Sequence, residues 1–315
     1  MDELIRYLLS ILGATSQGFA WAILAIGVYV SFRILDFPDM TSEGSFALGG
    51  SISAFCISGL GINPVLCLLI STLAGMAAGA VTGFLHTKLR IPPILAGILT
   101  MIALYSVNLG IMGKSNTPLL AQKTILSMAK NLFPSAAALG IKDNLLQNLI
   151  SMGLSIIFTV LVIVLLYWFL GTEVGCAIRA TGNNEAMVRA QGSNTDAMKI
   201  IGLMVGNGLI ALSGGLVAQT QGFADVSMGV GAIVIGLASI VIGEVIFRRV
   251  ISFASRLISI VIGSIIYRII IASVLYIGFN SNNLKLLTAV MVAAALSIPV
   301  FKKDKVKIVR EENEC

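Results

Sequence analysis

The chain has 315 residues, of which 57% are hydrophobic and only 11% charged, with a mean hydropathy of +0.96. A soluble domain carries about 25% charged residues, so the composition excludes a soluble globular fold and points to an all-α, polytopic helical membrane protein. The net charge of +6 does not point to nucleic acid, because the basic residues gather at the ends of apolar runs and in the C-terminal tail, where a topology signal places them.

Nine apolar segments are read along the chain, at 9–32, 43–60, 64–85, 92–112, 147–170, 199–218, 230–247, 257–277 and 284–301. They set an expectation of about nine membrane spans, within a range of eight to ten, in one domain covering 1–315. The N-terminus (Met-Asp-Glu-Leu-Ile-Arg) lacks the basic region and cleavage site of a signal peptide, so the first segment is expected to be retained. Between the first two segments, Asp36, Pro38, Asp39, Thr41, Ser42 and Glu43 interrupt the apolar pattern. Thr41 or Ser42 is expected to cap the next helix, with Glu43 against its positive end. Two readings stay open there: a broken or re-entrant helix beside a transport path, and an ordinary cytoplasmic turn.

In the third segment Gly75, Gly79 and Gly83 recur every four residues and line one helix face, a pattern suited to close helix packing. His86 is expected in a short surface loop with Lys88 and Arg90, and Pro92-Pro93 opens the fourth segment. The stretch 113–146 is expected as a long extracellular loop. Asn108, Asn207, Gln219 and Gln221 are polar groups that either bond between helices or line a path. Four cysteines (Cys56, Cys67, Cys176, Cys315) show no paired spacing, so neither a disulfide framework nor a metal site is expected.

The polar stretch 171–199 differs from everything around it. Gly182 or Asn183 can cap a short helix over 184–191, with Glu185 in its first turn and Arg189 in its last, both matching the helix dipole. Gly192 falls where a left-handed stop is wanted, and Asn194 can cap the following helix, with Asp196 in its first turn. With this stretch in the cytoplasm, most basic residues, including Arg33, Lys88, Arg90, Arg179, Arg248, Arg249 and Arg256, fall on the same side, together with the basic tail 302–315. Further on, Arg268 sits deep in an apolar run and must face a partner or a cavity. Glu244 in the preceding segment is its candidate ion-pair partner; snorkelling to the interface and contact with a transported solute are the alternatives.

Three stretches resemble one family: 24–29 with 39–50, 79–85 with 88–92, and Gly175-Cys-Ala-Ile-Arg-Ala-Thr-Gly-Asn-Asn-Glu-Ala through Gly192. The chain resembles permease subunits of bacterial ATP-binding-cassette importers of the branched-chain amino acid and ribose permease type. Its end, from Tyr267 through Ala289, is most similar to a sub-branch of tryptophan or tyrosine importers. The resemblance implies a permease in the bacterial cell membrane with a cytoplasmic C-terminus and uptake of amino acids by alternating access. It also implies a second permease copy, a cytoplasmic ATPase dimer that binds ATP and Mg, and an extracellular substrate-binding lipoprotein. On this reading Arg179, Asn183, Asn184, Glu185, Arg189 and Gly192 belong to the segment that docks on the ATPase. Asp39, Ser42, Glu43, Asn108, Asn207, Glu244 and Arg268 are candidates for a polar path.

No residue pattern supports chemistry within the chain. The nearest phosphate-loop likeness, Gly113-Lys114-Ser115, has Asn108 where the first glycine belongs and follows an apolar span rather than a strand. The competing class is an ion-coupled secondary transporter, which would call for ion-binding residues and commonly for inverted repeats.

Overall fold

The computed structural model describes residues 2–120, 122–132, 143–247 and 252–278, together with 286, 288–290 and 293. Helix α1 (Asp2–Tyr29) runs into a π-helical turn, Val30–Ile34, and after a break α2 spans Thr41–Ser58. Helices α3 (Pro64–Thr87) and α4 (Pro93–Met112) follow, then a short strand β1 (Asn116–Pro118), α5 (Ile125–Leu132) and α6 (Asp143–Leu170). Next come α7 (Glu173–Asn183), α8 (Glu185–Ala190), α9 (Thr195–Gln221), β2 (Phe223–Asp225), α10 (Ala232–Ile246) and α11 (Phe253–Tyr276). Strands β1 and β2 pair antiparallel, with Thr117 opposite Ala224.

Among the described residues, six helices are long and apolar enough to cross a membrane: Tyr7–Ile34, Pro64–Thr87, Pro93–Met112, Leu145–Leu170, Thr195–Gln221 and Phe253–Tyr276. Helix α10 is apolar but shorter, and α2 is rich in serine and glycine and is almost wholly buried. The segment expected at 284–301 is described only at 286, 288–290 and 293, and the tail 302–315, Arg248 and Arg249 lie outside the described residues. The expected loop 113–146 is partly regular, since β1 and α5 fall within it and α6 begins at Asp143, whose carboxylate suits a first helical turn.

Burial sorts the helices. Windows of α1 and α9 are 61% and 72% buried, against 28% for α4 and α6. Helix α1 is enclosed by α6, α9, α10 and α11, and Ala22 through Ile26 have no exposed surface. Helix α9 lies between α1, α2 and α3. In lipid, apolar helices gain little from hiding from the solvent, so close van der Waals fit does the holding. Gly75, Gly79 and Gly83 of α3 provide it: a side-chain carbon at Gly79 would collide with the Leu203 carbonyl of α9, and one at Gly75 with the Asn207 carbonyl and Ala211. Outside this seam, α3 exposes Leu66, Leu69 and Leu73 to the surroundings.

The seam is testable by substitution. Gly79→Val should force α3 off α9 and lower the melting midpoint of the purified protein, as overpacking costs about 1–3 kcal/mol. Gly110→Ala, where nothing lies within 4 Å of an added carbon, should leave the midpoint unchanged or slightly raised. Equal midpoints for Gly79→Val and the parent protein would show that the seam does not carry the packing.

Candidate functional site

Two polar constellations stand out, one at the break before α2 and one at the α7–α8 end of the molecule.

At the break, Asp36 takes a left-handed conformation with φ 53°, which few residues other than glycine and Asn/Asp adopt. The chain then turns back so that Phe37 N–H donates to the Ser31 carbonyl at 2.9 Å. Asp39 is fully buried. Its Oδ1 accepts from the Thr41 backbone N–H at 2.9 Å, and its Oδ2 accepts from Asn207 Nδ2 of α9 at 2.6 Å. The cap expected from Thr41 or Ser42 is therefore supplied by Asp39, because its carboxylate lies two residues upstream of the orphan donor and can also reach α9. Ser42 instead donates to the Asp39 carbonyl.

The network extends from there. Ser45 donates to Asn207 Oδ1 at 2.7 Å, Thr41 and Thr82 share a 2.6 Å contact, and Thr82 donates to Thr100 at 2.9 Å. Glu43 accepts from Gly231 N–H at the start of α10, and Asn108 donates to the Gly44 carbonyl at 3.3 Å while its Oδ1 is buried without a partner among the described residues. No salt bridge involves Asp39 among the described residues.

Two expectations need correction. Arg268 does not pair with Glu244. Glu244 accepts from Arg33 Nη2 at 2.6 Å, with both side chains about half exposed. Arg268 instead lies over the Trp21 ring, 4.0 Å from its centroid. Depth is the reason: α10 ends two residues after Glu244, while Arg268 is 15 residues into the returning helix α11, or about 22 Å along it at 1.5 Å per residue. His86 is not a free loop residue either. It ends α3, part-buried, with Nδ1 at 2.9 Å from the Ile91 carbonyl and its ring edge-on to Phe37.

At the other constellation the caps organise the chain. Thr172 caps α7 through Gly175 N–H, Asn184 caps α8 through Met187 N–H at 3.0 Å, and Asn194 caps α9 through Ala197 N–H at 3.2 Å. The cap of α8 is Asn184, one residue beyond the Gly182 or Asn183 expected, because α7 occupies the chain up to Asn183. Gly192, at φ 84°, closes α8: its N–H donates to the Arg189 carbonyl, and Ser193 N–H to the Val188 carbonyl.

Glu185 ties α8 to α9. One carboxylate oxygen accepts from Lys199 Nζ at 2.7 Å, the other from Arg189 Nη2 at 2.9 Å and Thr195 Oγ1 at 3.2 Å. Arg189 also reaches Asp196 at 3.5 Å. The Lys199 hydrogen bond, against the opposing effect of burial and with help from the Lys199 charge, Thr195 and Arg189, holds the Glu185 carboxyl below its usual range. Val188 is buried beneath α8, whereas Met187 is 57% exposed. Exposed Arg179 lies over the Phe253 ring and near Cys176 Sγ, and Asn183 is exposed at the end of α7. A recess of about 350 Å³ separates this surface from the α3–α4 turn, lined by His86, Arg90, Glu185, Arg189, Asp196 and Lys199.

Sequence reasoning passed over Met187, Lys199, Thr195 and Arg33 as site residues. The i to i+4 spacing of Glu185 and Arg189 was legible, but the reach from Glu185 to Lys199 depends on the turn at Gly192. Helix α7 was hidden by its mixed composition. Cys56 and Cys67 are free and share one small apolar cluster; Cys315 lies outside the described residues.

Because its folded pKa is depressed, Glu185 adds stability that is present above its ordinary pKa of about 4.5 and lost as the pH falls through the lowered folded value. Hydrogen exchange should therefore show α8 amides protected at pH 7 and progressively exposed below about pH 4.5. In Glu185→Gln the same amides should exchange faster already at pH 7, and that difference should vanish in acid.

The family model described as branched-chain amino acid transport system / permease component matches residues 10–295. The tyrosine transport system permease protein of Clostridioides difficile is 40% identical over 204 residues, 65% of this chain and 62% of that protein. An uncharacterised protein of Rickettsia prowazekii is 33% identical over 201 residues, 64% of this chain and 65% of that protein. The chain thus matches a little under two thirds of the length of these curated relatives. Among solved structures, PsaBC from Streptococcus pneumoniae in complex with Fab aligns over 92% of this chain and 90% of that one, with a TM-score of 0.49 and 14% identity. With its apolar helices long enough to cross a membrane and a family match running from residue 10 to residue 295, the chain is a multi-pass membrane protein that belongs to the branched-chain amino acid permease family.

Proposed function

We propose that the chain is the transmembrane permease subunit of an ATP-binding-cassette importer, taking up amino acids of the aromatic or branched-chain type by alternating access driven by a separate ATPase. The observation that carries this reading is α8. It is a two-turn helix at one end of the molecule, capped at both ends, pinned below by Val188, braced sideways by Glu185 and Lys199, and presenting Met187 outward. A helix braced in this way transmits a push without deforming, as a docking element must. The adjoining recess, with Arg90 and Lys199 on its walls, suits an acidic or polar side chain of the ATPase.

On this reading the α7–α8 end faces the cytoplasm together with Lys88, Arg90 and Arg256, in keeping with the bias of basic residues toward that side. The C-terminal tail lies on the same side, and about nine spans complete the bundle. The partners are a second copy of the chain, an ATPase dimer that holds ATP and Mg, and an extracellular binding lipoprotein; the chain itself performs no chemistry. The amino acid class draws support from the family description and from the tyrosine permease relative.

One observation favours an ion-coupled secondary transporter: the buried Asp39 carboxylate, which no salt bridge neutralises among the described residues. Energy source separates the two readings. Uptake into proteoliposomes that needs the ATPase and ATP supports the importer, whereas uptake by the chain alone on an ion gradient supports the alternative.

Met187→Asp tests the docking surface without touching the Glu185 web. Coupled uptake should fall about tenfold or more, the loss expected when an exposed apolar anchor leaves an interface, while the melting midpoint stays at the parent value. Undiminished uptake would remove α8 from the ATPase interface.

A further inference from the structure

A cavity of about 450 Å³ opens at the end of the molecule opposite α8, between α1, α5, α6 and α9. Its position follows from the topology: its walls come from the beginning of α6 and the end of α9, whereas α7 and α8 connect the other ends of the same two helices. The size falls within the usual range for small-molecule sites, about 300–1,000 Å³. Gln17, Gln147, Asn148 and Ser151 supply uncharged polar groups, and Leu126 and Phe223 supply an apolar side. Phe223 is 41% exposed.

Behind the Gln17 wall stands Arg268. Its Nη1 donates to Gln17 Oε1 across 3.4 Å, at the long limit for such a bond, and its guanidinium carbon lies over the Trp21 ring, 4.0 Å from the centroid. Its Nε and Nη2 are buried and have no hydrogen-bond partner among the described residues. These two atoms form one edge of the guanidinium, the edge that grips a carboxylate with two parallel hydrogen bonds. An ionisable group kept at membrane depth without its complement marks a functional position. The Trp21 face stabilises the cation without occupying that edge.

Resting on the amino acid importer reading above, we propose that this cavity is the outward substrate station and that Arg268, once Gln17 turns aside and the guanidinium rotates its free edge into the cavity, binds the α-carboxylate of a neutral amino acid. The amides of Gln147 and Asn148 then face the ammonium end through their oxygens, and Phe223 and Leu126 take an aromatic or large apolar side chain. The ligand class is a zwitterionic amino acid, and recognition turns on its carboxylate.

Trp21 provides the readout. The chain has two tryptophans, and Trp168 is 70% exposed on α6, so Trp168→Phe leaves Trp21 as the sole emitter. In the full-length Trp168→Phe chain in lipid nanodiscs, excited at a wavelength that tyrosine does not absorb, L-tyrosine should shift Trp21 emission saturably. Tyramine, with the same ring and no carboxylate, should not. Arg268→Gln should abolish the response. Should that variant fail to fold, Arg268→Lys decides: it keeps the charge but loses the two-pronged edge, and should raise the midpoint concentration at least tenfold. Equal responses to tyrosine and tyramine, or an unchanged midpoint in Arg268→Lys, would overturn the site. ATP-driven tyrosine uptake by the assembled complex is measured in parallel. Uptake with a silent Trp21 refutes the site alone, and absence of ATP-driven uptake refutes the importer reading on which it rests.

Discussion

Inside a packed bundle a buried backbone N–H or C=O has no water to fall back on, so a helix can break there only if the protein supplies the missing partners. The break between α1 and α2 meets this constraint through one carboxylate. Asp39 satisfies the Thr41 N–H with one oxygen and takes the Asn207 amide of α9 with the other. The start of α2 is thereby fixed to the middle of α9, the most buried of the six long apolar helices. Ser45, Thr82 and Thr100 extend the bonding from that point to α3 and α4. Remove the carboxylate, and the first turn of α2 loses its cap and Asn207 loses an acceptor together.

The second constraint is distance. Helices in lipid hold together by fit, and the small residues of α3 and α9 let their backbones approach until a single added methyl at Gly79 would strike a carbonyl. The same kind of contact recurs at Gly182 near the end of α7, where a side chain would meet the Ile34 carbonyl of the π-helical turn. The polar segment around α8 is thus packed, without slack, against the element that leads into the break. The surface around α8 and the polar break inside the bundle are joined by touching backbone rather than by a flexible tether.

Electrostatics divides by depth in the same way. Near the ends, charges pair with one another and stay partly wet, as Arg33 does with Glu244 and Glu185 with Arg189; such exposed pairs contribute about 0–1 kcal/mol each. Deeper in, Asp39 and Arg268 have no counter-charge among the described residues and are managed by amides, hydroxyls and an aromatic face instead.

The sequence by itself determined the membrane class, the positions of the long helices and the local signals around α8, because apolar run length, glycine spacing and capping residues act within a few residues of chain. Asn184, Glu185, Arg189, Gly192 and Asn194 could all be read this way, to within one residue at the cap. Tertiary structure alone decided which polar groups meet. That Asp39 and not Thr41 or Ser42 caps α2, that Glu244 belongs to Arg33, that Arg268 rests on Trp21, and that Lys199 reaches back to Glu185 all depend on helix depth and rotation. These are set by packing between segments distant in sequence, and no local pattern encodes them.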